Sequence, residues 1–553
     1  MPENLNNEEL SLSDLSCKIA EKYISSVLLV DDNISYNSSQ PQSSCIAAEK
    51  FIDDFAAKNI NACLYLWKNE NQIDNILKLV RNNDVSILDW KIGIQKQVAE
   101  EDMDKDCPDD GGRGGYTKEL LQRLIDEQPA VPRLLIIYTE EISEVQNYLK
   151  SLSEEYSESN LPDDYTWISK SKCVKISLYF KEGIEGIYNV PAERIIKYEN
   201  LPAAIIKNFA EMHEGILPLA LLRSLTVIRE NTGSLLNMFN NDLDSAFVLH
   251  QALSPNPEDA DNLLIQTISD AFSSLYIYQN MPNLQTSKLV EAWINEQSVF
   301  LKNDLVIKRD FYSHVNPIPQ PVQLDITIED RKRLLADGYI TTIQQKYVEV
   351  TNDTSNDALK IIEENDKKQL LFPQIQGCFS LNNVDMKKAN CDFSILTHHK
   401  SIFEPATEYY PWLMSGCIIK LHNREKYLLC IQQACDCLRI PSSGRKFLFL
   451  PLEKSPQNFD IVLKNNDSDE MLTLAVRHKT SYNIEILDFK PDAGDTVIKA
   501  KKEDQKMCFK TKDGKKYFWL CDLKEDFYLK IINEYAQKLT RVGIEQSEWL
   551  RRS

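Results

Sequence analysis

Two adjacent carboxylates, Asp31 and Asp32, follow an apolar run, VLLV, at residues 27–30. A second run, VSIL at 85–88, ends in Asp89. A third, RLLIIY at 133–138, ends in Thr139, and a fourth, VKISLYF at 174–180, ends in Lys181. Each run has the length and composition of a buried strand. In an open parallel sheet the C-terminal strand ends gather on one edge, where ligands bind. Three carboxylates, a hydroxyl and an ammonium group would then share one pocket. Carboxylates packed together repel unless a cation neutralises them. A hard divalent ion such as Mg²⁺ does this through oxygen ligands and keeps several waters. A phosphoryl group arriving at Asp89 places its oxygens near that ion, Thr139 and Lys181. Stabilising charge on those oxygens is most of what phosphoryl transfer needs from a protein. An acidic pair at one strand end is a common accident in α/β proteins; this ordered set on four strand ends is not.

The elements that must position these groups alternate along the chain. A short helix over 12–24 leads into the first strand, and helices follow at about 44–58, 71–82, 115–127 and 142–156. The strand ACLYLW (62–67) lies between the first two of these. This alternation predicts a parallel sheet with helices on both faces. Residues 94–113 are acidic, contain glycine and show no periodicity, so they read as an exposed loop beside the pocket. Asp102, Asp104 and Asp106 alternate there, but the Gly and terminal Glu of a Ca²⁺ loop are missing. Residues 157–173 read as a long link, and AERIIKY (192–198) as a candidate extra strand.

With these motifs in place, residues 25–182 resemble the receiver domain of bacterial two-component response regulators. The resemblance implies a flavodoxin-like, doubly wound α/β fold around a five-stranded parallel sheet. It implies that Asp89 accepts the phosphoryl group, with a histidine kinase as donor. Asp31 and Asp32 match the pair that holds Mg²⁺, to which Asp89 and the main-chain carbonyl of Lys91 would also contribute. Thr139 matches the switch hydroxyl and Lys181 the lysine that ends the fifth strand. Three positions depart from the family's pattern. Glu140 replaces the small residue after the switch hydroxyl, Glu182 replaces the proline after the lysine, and WKIG after Asp89 lacks the usual proline. Lys91 and Glu141 occupy positions that tune the access of hydrolytic water. Lys197, in RIIKYEN, competes with Lys181 for the strand-five role.

The chain has 553 residues and 43% apolar content, enough for several cores. Its 83 acidic against 63 basic residues give a formal charge of -20. Nucleic acid is disfavoured as a partner, since phosphate backbones need a basic face. The thirteen cysteines are too sparse for a disulfide scaffold, and buried thiols in a reducing cytoplasm are the economical reading. The acidic, polar first residues contain no basic or apolar signal segment, and the apolar stretch ILPLALL (216–222) is too short to span a membrane. A cytoplasmic chain without a membrane partner is therefore expected.

Four regions are expected: the receiver over 1–200, a helical extension over 201–314, a linker and mixed segment over 315–370, and a β-rich domain over 371–553. VNPIPQPV (315–322) marks the linker. The last region carries strand-like runs and an Asp-Gly hairpin signal, KDGK (512–515), and ends in an amphipathic helix. A small antiparallel barrel or sandwich is expected there. Cys430, Cys435 and Cys437 in CIQQACDC, with Cys417 or His422, form a candidate zinc set at an unusual spacing. His213 and His250 read as ordinary packed or surface histidines, and His398 and His399 are given no role.

RENTGSLL, DLDSAFVLHQAL and PNPEDAD (229–261) resemble the helical extension of an atypical class of receivers found in phage-defence loci. The whole chain resembles the receiver component of Detocs-like anti-phage systems that lacks an output enzyme. That resemblance implies a phosphate sink competing with a second receiver fused to an effector, and no enzyme activity beyond the receiver's own phosphotransfer. The alternative is a phosphorylation-gated effector whose C-terminal domain is an enzyme or a metal-binding toxin.

Overall fold

The computed structural model describes residues 11–36, 46–92, 114–127, 131–156, 159–169, 173–182, 190–253, 258–278, 286–297, 304–307, 321–352, 356–381, 384–402, 409–457, 459–464, 471–476, 484–503 and 506–539. The acidic insertion at 94–113 and most of the expected linker, 315–320, lie outside them. The chain divides into two compact units, Met1–Val299 with Ile326–Glu363 and Phe300–Asp325 with Glu364–Ser553.

The strands of the first unit are β1 (Ser26–Asp31), the two-residue β2 (Ile34–Ser35) and β3 (Ile46–Ala47), β4 (Asn61–Leu66), β5 (Val85–Leu88), β6 (Arg133–Thr139), β7 (Asn160–Asp163), β8 (Thr166–Ile168) and β9 (Val174–Phe180). The main sheet runs β4-β1-β5-β6-β9-β8-β7. Its first five strands are parallel, as the alternation predicts. The segment read as a plain link instead adds an antiparallel hairpin, β7–β8, beside β9, so the sheet has seven strands where five were expected. NLPD and TWI are too short and too irregular to show a two-residue period, and the fully buried Trp167 is what anchors them.

The helices α1 (Leu12–Tyr23), α2 (Ala48–Ala56), α3 (Ile73–Asn82), α4 (Gly115–Ile125), α5 (Ile142–Glu155) and α6 (Leu201–Met212) cover the sheet. Val27, Leu29, Ile87 and Ile136 share a core with residues of α1, α2 and α6, while Leu28, Val30, Leu88, Ile137 and Ile176 share one with α3, α4 and α5. Burial on both faces explains why these strands read as unbroken apolar runs rather than alternating ones. α5 shows the helical counterpart: Ile142, Val145, Leu149 and Leu152 lie on one buried face. α1 begins in a capping box between Ser11 and Asp14, a device that contributes about 1 kcal/mol.

α6 is fastened to β9 by polar contacts. The Lys175 ammonium reaches Glu211 at 2.7 Å, the Ser177 hydroxyl donates to Asn208 Oδ1 at 2.7 Å, and Asn208 Nδ2 donates to the Tyr179 hydroxyl at 2.7 Å. AERIIKY forms no strand. Ala192–Arg194 is a single 3₁₀ turn, and only Ile195 bridges to Phe180. Pro191 sets the turn by fixing its φ near -57°.

The unit continues with α7 (Ile216–Met238), α8 (Asp244–Leu253), α9 (Glu258–Tyr278), α10 (Thr286–Gln297), α11 (Ile328–Ala336) and α12 (Tyr339–Thr351), and α13 (Asn356–Lys367) spans the division. Arg229 on α7 donates to Asp84 Oδ1 at 2.7 Å and to the Tyr23 carbonyl at 2.8 Å. Asp84 also accepts from the main-chain N–H groups of Ser25 and Ser26. α7 is thereby tied to the start of β1 and β5, the edge opposite Asp31 and Asp89.

The second unit holds the antiparallel pair β10 (Asp304–Ile307) and β11 (Val322–Asp325), then α14 (Phe372–Cys378) and α15 (Met386–His398). Strands follow: β12 (Cys417–Leu421), β13 (Tyr427–Cys430), β14 (Arg445–Lys454), β15 (Ile461–Lys464), β16 (Met471–Val476), β17 (Glu485–Phe489), β18 (Lys501–Glu503), β19 (Lys506–Lys510) and β20 (Lys516–Asp522), before α16 (Glu525–Leu539). They form an antiparallel sheet in the order β15-β16-β14-β13-β12-β20-β19-β18. The long β14 pairs with β17 along its first half and with β16 at its end. A bridge from Phe489 to Thr511 brings β17 beside the β19–β20 turn and closes the sheet into a barrel. Phe447, Phe449, Phe489 and Phe509 share the interior core. Leu429, Leu450 and Leu452 share a second core with Tyr528, Ile531 and Tyr535 of α16. The KDGK signal is the β19–β20 turn, with Gly514 at φ +84°. No helix among the described residues is long and apolar enough to cross a membrane.

His399 is buried, and its Nε2 lies 2.8 Å from the Val462 carbonyl, which selects the neutral tautomer with Nε2–H as donor. Burial depresses its pKa below 6.5, and only the Val462 bond opposes this. The unfolded chain therefore takes up a proton as pH falls through about 6.5, before the folded chain does. Stability of the second unit is expected to decline from pH 7 to pH 5, by up to about 1.4 kcal/mol per unit of pH from this group. Denaturant melts of the native chain and of His399→Gln across that range check this. The same slope in both contradicts it.

Candidate functional site

The parallel order β4-β1-β5-β6-β9 puts four C-terminal strand ends on one edge. Asp31 is the last residue of β1, Asp89 follows β5, Thr139 is the last residue of β6, and Lys181 follows β9. The Asp89 N–H donates to the Val30 carbonyl at 2.9 Å, and the Lys181 N–H to the Thr139 carbonyl at 3.0 Å. Both residues are thus held in line with the sheet just past its strands.

The side chains converge on Lys181. Its ammonium lies 2.9 Å from Asp89 Oδ1 and 3.6 Å from Asp31 Oδ2. Asp89 Oδ2 accepts from the Lys91 main-chain N–H at 3.0 Å, and Asp31 Oδ1 from the Asn33 N–H at 2.7 Å. Asp31 and Asp89 are buried, at 2% and 7% exposure, and Asp32 beside them is half-buried. Burial pushes the Asp89 carboxyl up to about 7, with Lys181 pulling it back and Asp31 pushing it further up. Burial also works against the charge of Lys181, but Asp89 and Asp31 outweigh it and hold the ammonium above the ordinary lysine value. One ammonium is shared by two buried carboxylates, so the pocket keeps excess negative charge.

Thr139 is fully buried, and its hydroxyl accepts from the Glu141 N–H at 3.2 Å. Lys91 and Glu141 pair with each other at 3.2 Å on the exposed rim. Lys197 does not displace Lys181: it faces Glu182 at 3.7 Å, and both of those residues are exposed. Glu140 is exposed as well.

Two supports escaped the sequence reading. Thr117, in the first turn of α4, donates to the Asp89 carbonyl at 3.0 Å. Trp90 is fully buried against Tyr148, with ring centroids 5.3 Å apart. Gly114, at φ +71°, lies so close to Trp90 that a Cβ there would overlap the indole. Together they clamp the backbone on either side of the acceptor position. A threonine just inside a helix is too common to stand out in a sequence, and Gly114 is one of several glycines in GGRGG.

The oxygen donors and excess negative charge suit a hard cation. Among the described residues, however, no three His, Cys, Asp or Glu side chains are gathered closely enough to hold a metal. The ammonium of Lys181 takes the central place.

The candidate zinc set is not assembled. Cys417, Cys430 and Cys437 lie in the barrel core, while Cys435 is exposed and His422 packs on Phe518. Burial pushes the Cys417 and Cys430 thiols well above their ordinary value, while the hydrogen bond with Cys430 lowers that of Cys437. His213 is packed against Phe209, and His250 is exposed on α8.

Residues 23–185 match the family model described as the response receiver domain. The matched stretch is under a third of the chain; its similarity to a receiver domain supports a phosphorylatable response regulator of two-component type. No curated protein and no solved structure matches the chain.

Proposed function

We propose that Asp89 accepts a phosphoryl group from a histidine kinase, and that the chain is a phosphate sink within an anti-phage signalling system. The observation that carries the first part is the Lys181 ammonium held between two buried carboxylates, 2.9 Å from Asp89 and 3.6 Å from Asp31. In the transfer, an Asp89 carboxylate oxygen attacks the phosphorus of the donor phosphohistidine. The O–P bond forms as the P–N bond breaks, and the electron pair returns to the imidazole nitrogen. Asp31, Asp32, Asp89 and the Lys91 carbonyl are the oxygen donors offered to Mg²⁺; with the Lys181 ammonium between them the carboxylates would have to draw together to hold it, and when bound it would supply positive charge against the phosphoryl oxygens. Lys181 offsets the same charge from the protein side. Thr139 exchanges its local bond to Glu141 for one to the phosphoryl group, and the Lys91–Glu141 pair screens the rim from attacking water.

The sink reading is supported by the resemblance of residues 229–261. If the chain is a sink, removing its acceptor matters for who else receives phosphate. Cells carrying the complete locus with Asp89→Ala are expected to grow poorly without any challenge, matching a deletion of the gene. Healthy resting cells that lose protection on challenge would instead mark the chain as an effector.

A further inference from the structure

Of the helices that follow the receiver, α8 and α9 bury almost nothing. α8, DSAFVLHQAL, has no buried residue, and on α9 every residue from 263 to 274 is at most half-buried. Along α7 to α9, Leu217 and Leu221 are 59% and 60% exposed, Leu236 70%, Val248 and Leu249 59%, and Ile265 64%. Isolated helices of ten residues do not hold in water, since helical stability comes from packing an apolar face. A monomer's largest apolar patch is normally a few hundred Å². At about 100 Å² for each full apolar side chain, the exposed leucines, valine, isoleucines, Met238 and aromatics of α7–α9 present roughly 800 Å². That is the area each partner contributes to a standard stable interface.

We propose that this face pairs with the same face of a second copy, forming a constitutive two-fold dimer. Three observations select a copy over another partner. The surface is uncharged where it is most apolar: residues 245–253 and 262–269 contain no Asp, Glu, Lys or Arg, so it offers a charged partner nothing. A patch of this size needs cover whenever the chain exists, and a second copy is always present with it. α7 and α9 have 23 and 21 residues, about 30 Å each. Two such hairpins are matched in length for a four-helix packing across a two-fold axis. A two-fold contact is closed, so assembly stops at two copies.

The test is the mass of the full chain by sedimentation or light scattering over a range of micromolar concentrations. The expected mass is twice 63.7 kDa, both for the native chain and for Asp89→Asn. Leu249→Glu combined with Ile265→Glu is expected to give a monomer that still accepts phosphate. A monomeric native chain, an assembly larger than two, or a dimer that survives the double substitution overturns the proposal. The native-chain mass decides even if the double variant fails to fold.

Discussion

Asp89→Asn is expected to leave a folded protein that takes up no phosphoryl group. Transfer needs an ionised carboxylate next to the Lys181 ammonium, and Asp89 meets that ammonium at 2.9 Å. The amide keeps the shape but not the nucleophile, so uptake from a phosphorylated kinase or a small phosphodonor falls at least ~100-fold. Stability moves the other way. The Asp89 carboxyl is raised from 3.8 to about 7, chiefly by burial. Between those values the folded chain keeps a proton that the unfolded chain has lost, so the native chain loses stability as pH rises through that window. The amide has no such slope. In metal-free buffer the variant is expected to gain on the native chain from about pH 4 to about pH 7, by a few kcal/mol at the upper end. Parallel denaturant melts at both pH values measure this, and a variant less stable at pH 7 would contradict the strained-carboxylate account.

Lys181→Ala carries the second large effect. The ammonium touches both carboxylates and stands where phosphoryl oxygens would arrive, so its loss is expected to slow phosphotransfer by about 10²–10³-fold. It also removes the group that holds the Asp89 pKa down. The pH midpoint of the residual transfer rate should therefore move upward, which a merely structural lysine would not cause. Lys181→Arg restores charge and part of the rate. Lys197→Ala, which removes a lysine facing Glu182 at the rim, leaves rate and midpoint in place. An unchanged midpoint in Lys181→Ala would remove the lysine from the mechanism.

The site was legible because central parallel strands are buried on both faces. VLLV, VSIL, RLLIIY and VKISLYF could hardly be anything else, and their polar endings inherit a common edge from the topology. The choice between Lys181 and Lys197 was not legible. It depends on a 3₁₀ turn after Pro191 that keeps AERIIKY from forming a strand, a matter of a few backbone angles rather than of pattern. Thr117 and Gly114 were invisible because each acts on Asp89 or Trp90 across a long sequence gap. The β7–β8 hairpin was missed because strands of three and four residues carry too little periodicity. In the second unit the alternating strands and the KDGK turn were readable, but closure was not: it rests on β14 serving two partners and on the Phe489–Thr511 bridge. The cysteines of CIQQACDC looked like one cluster in sequence, yet the 3₁₀ turn Ala434–Cys437 turns Cys437 into the core and leaves Cys435 exposed.

The central claim is that this pocket carries phosphate on Asp89. Its most direct test is to phosphorylate the native chain in the presence of Mg²⁺, reduce it with borohydride, which converts an aspartyl phosphate to homoserine, and map the product by peptide mass spectrometry. Homoserine at position 89, and at no other aspartate, is the predicted result. Homoserine at another position, or a chain that takes up no acyl phosphate from any donor, would contradict the account.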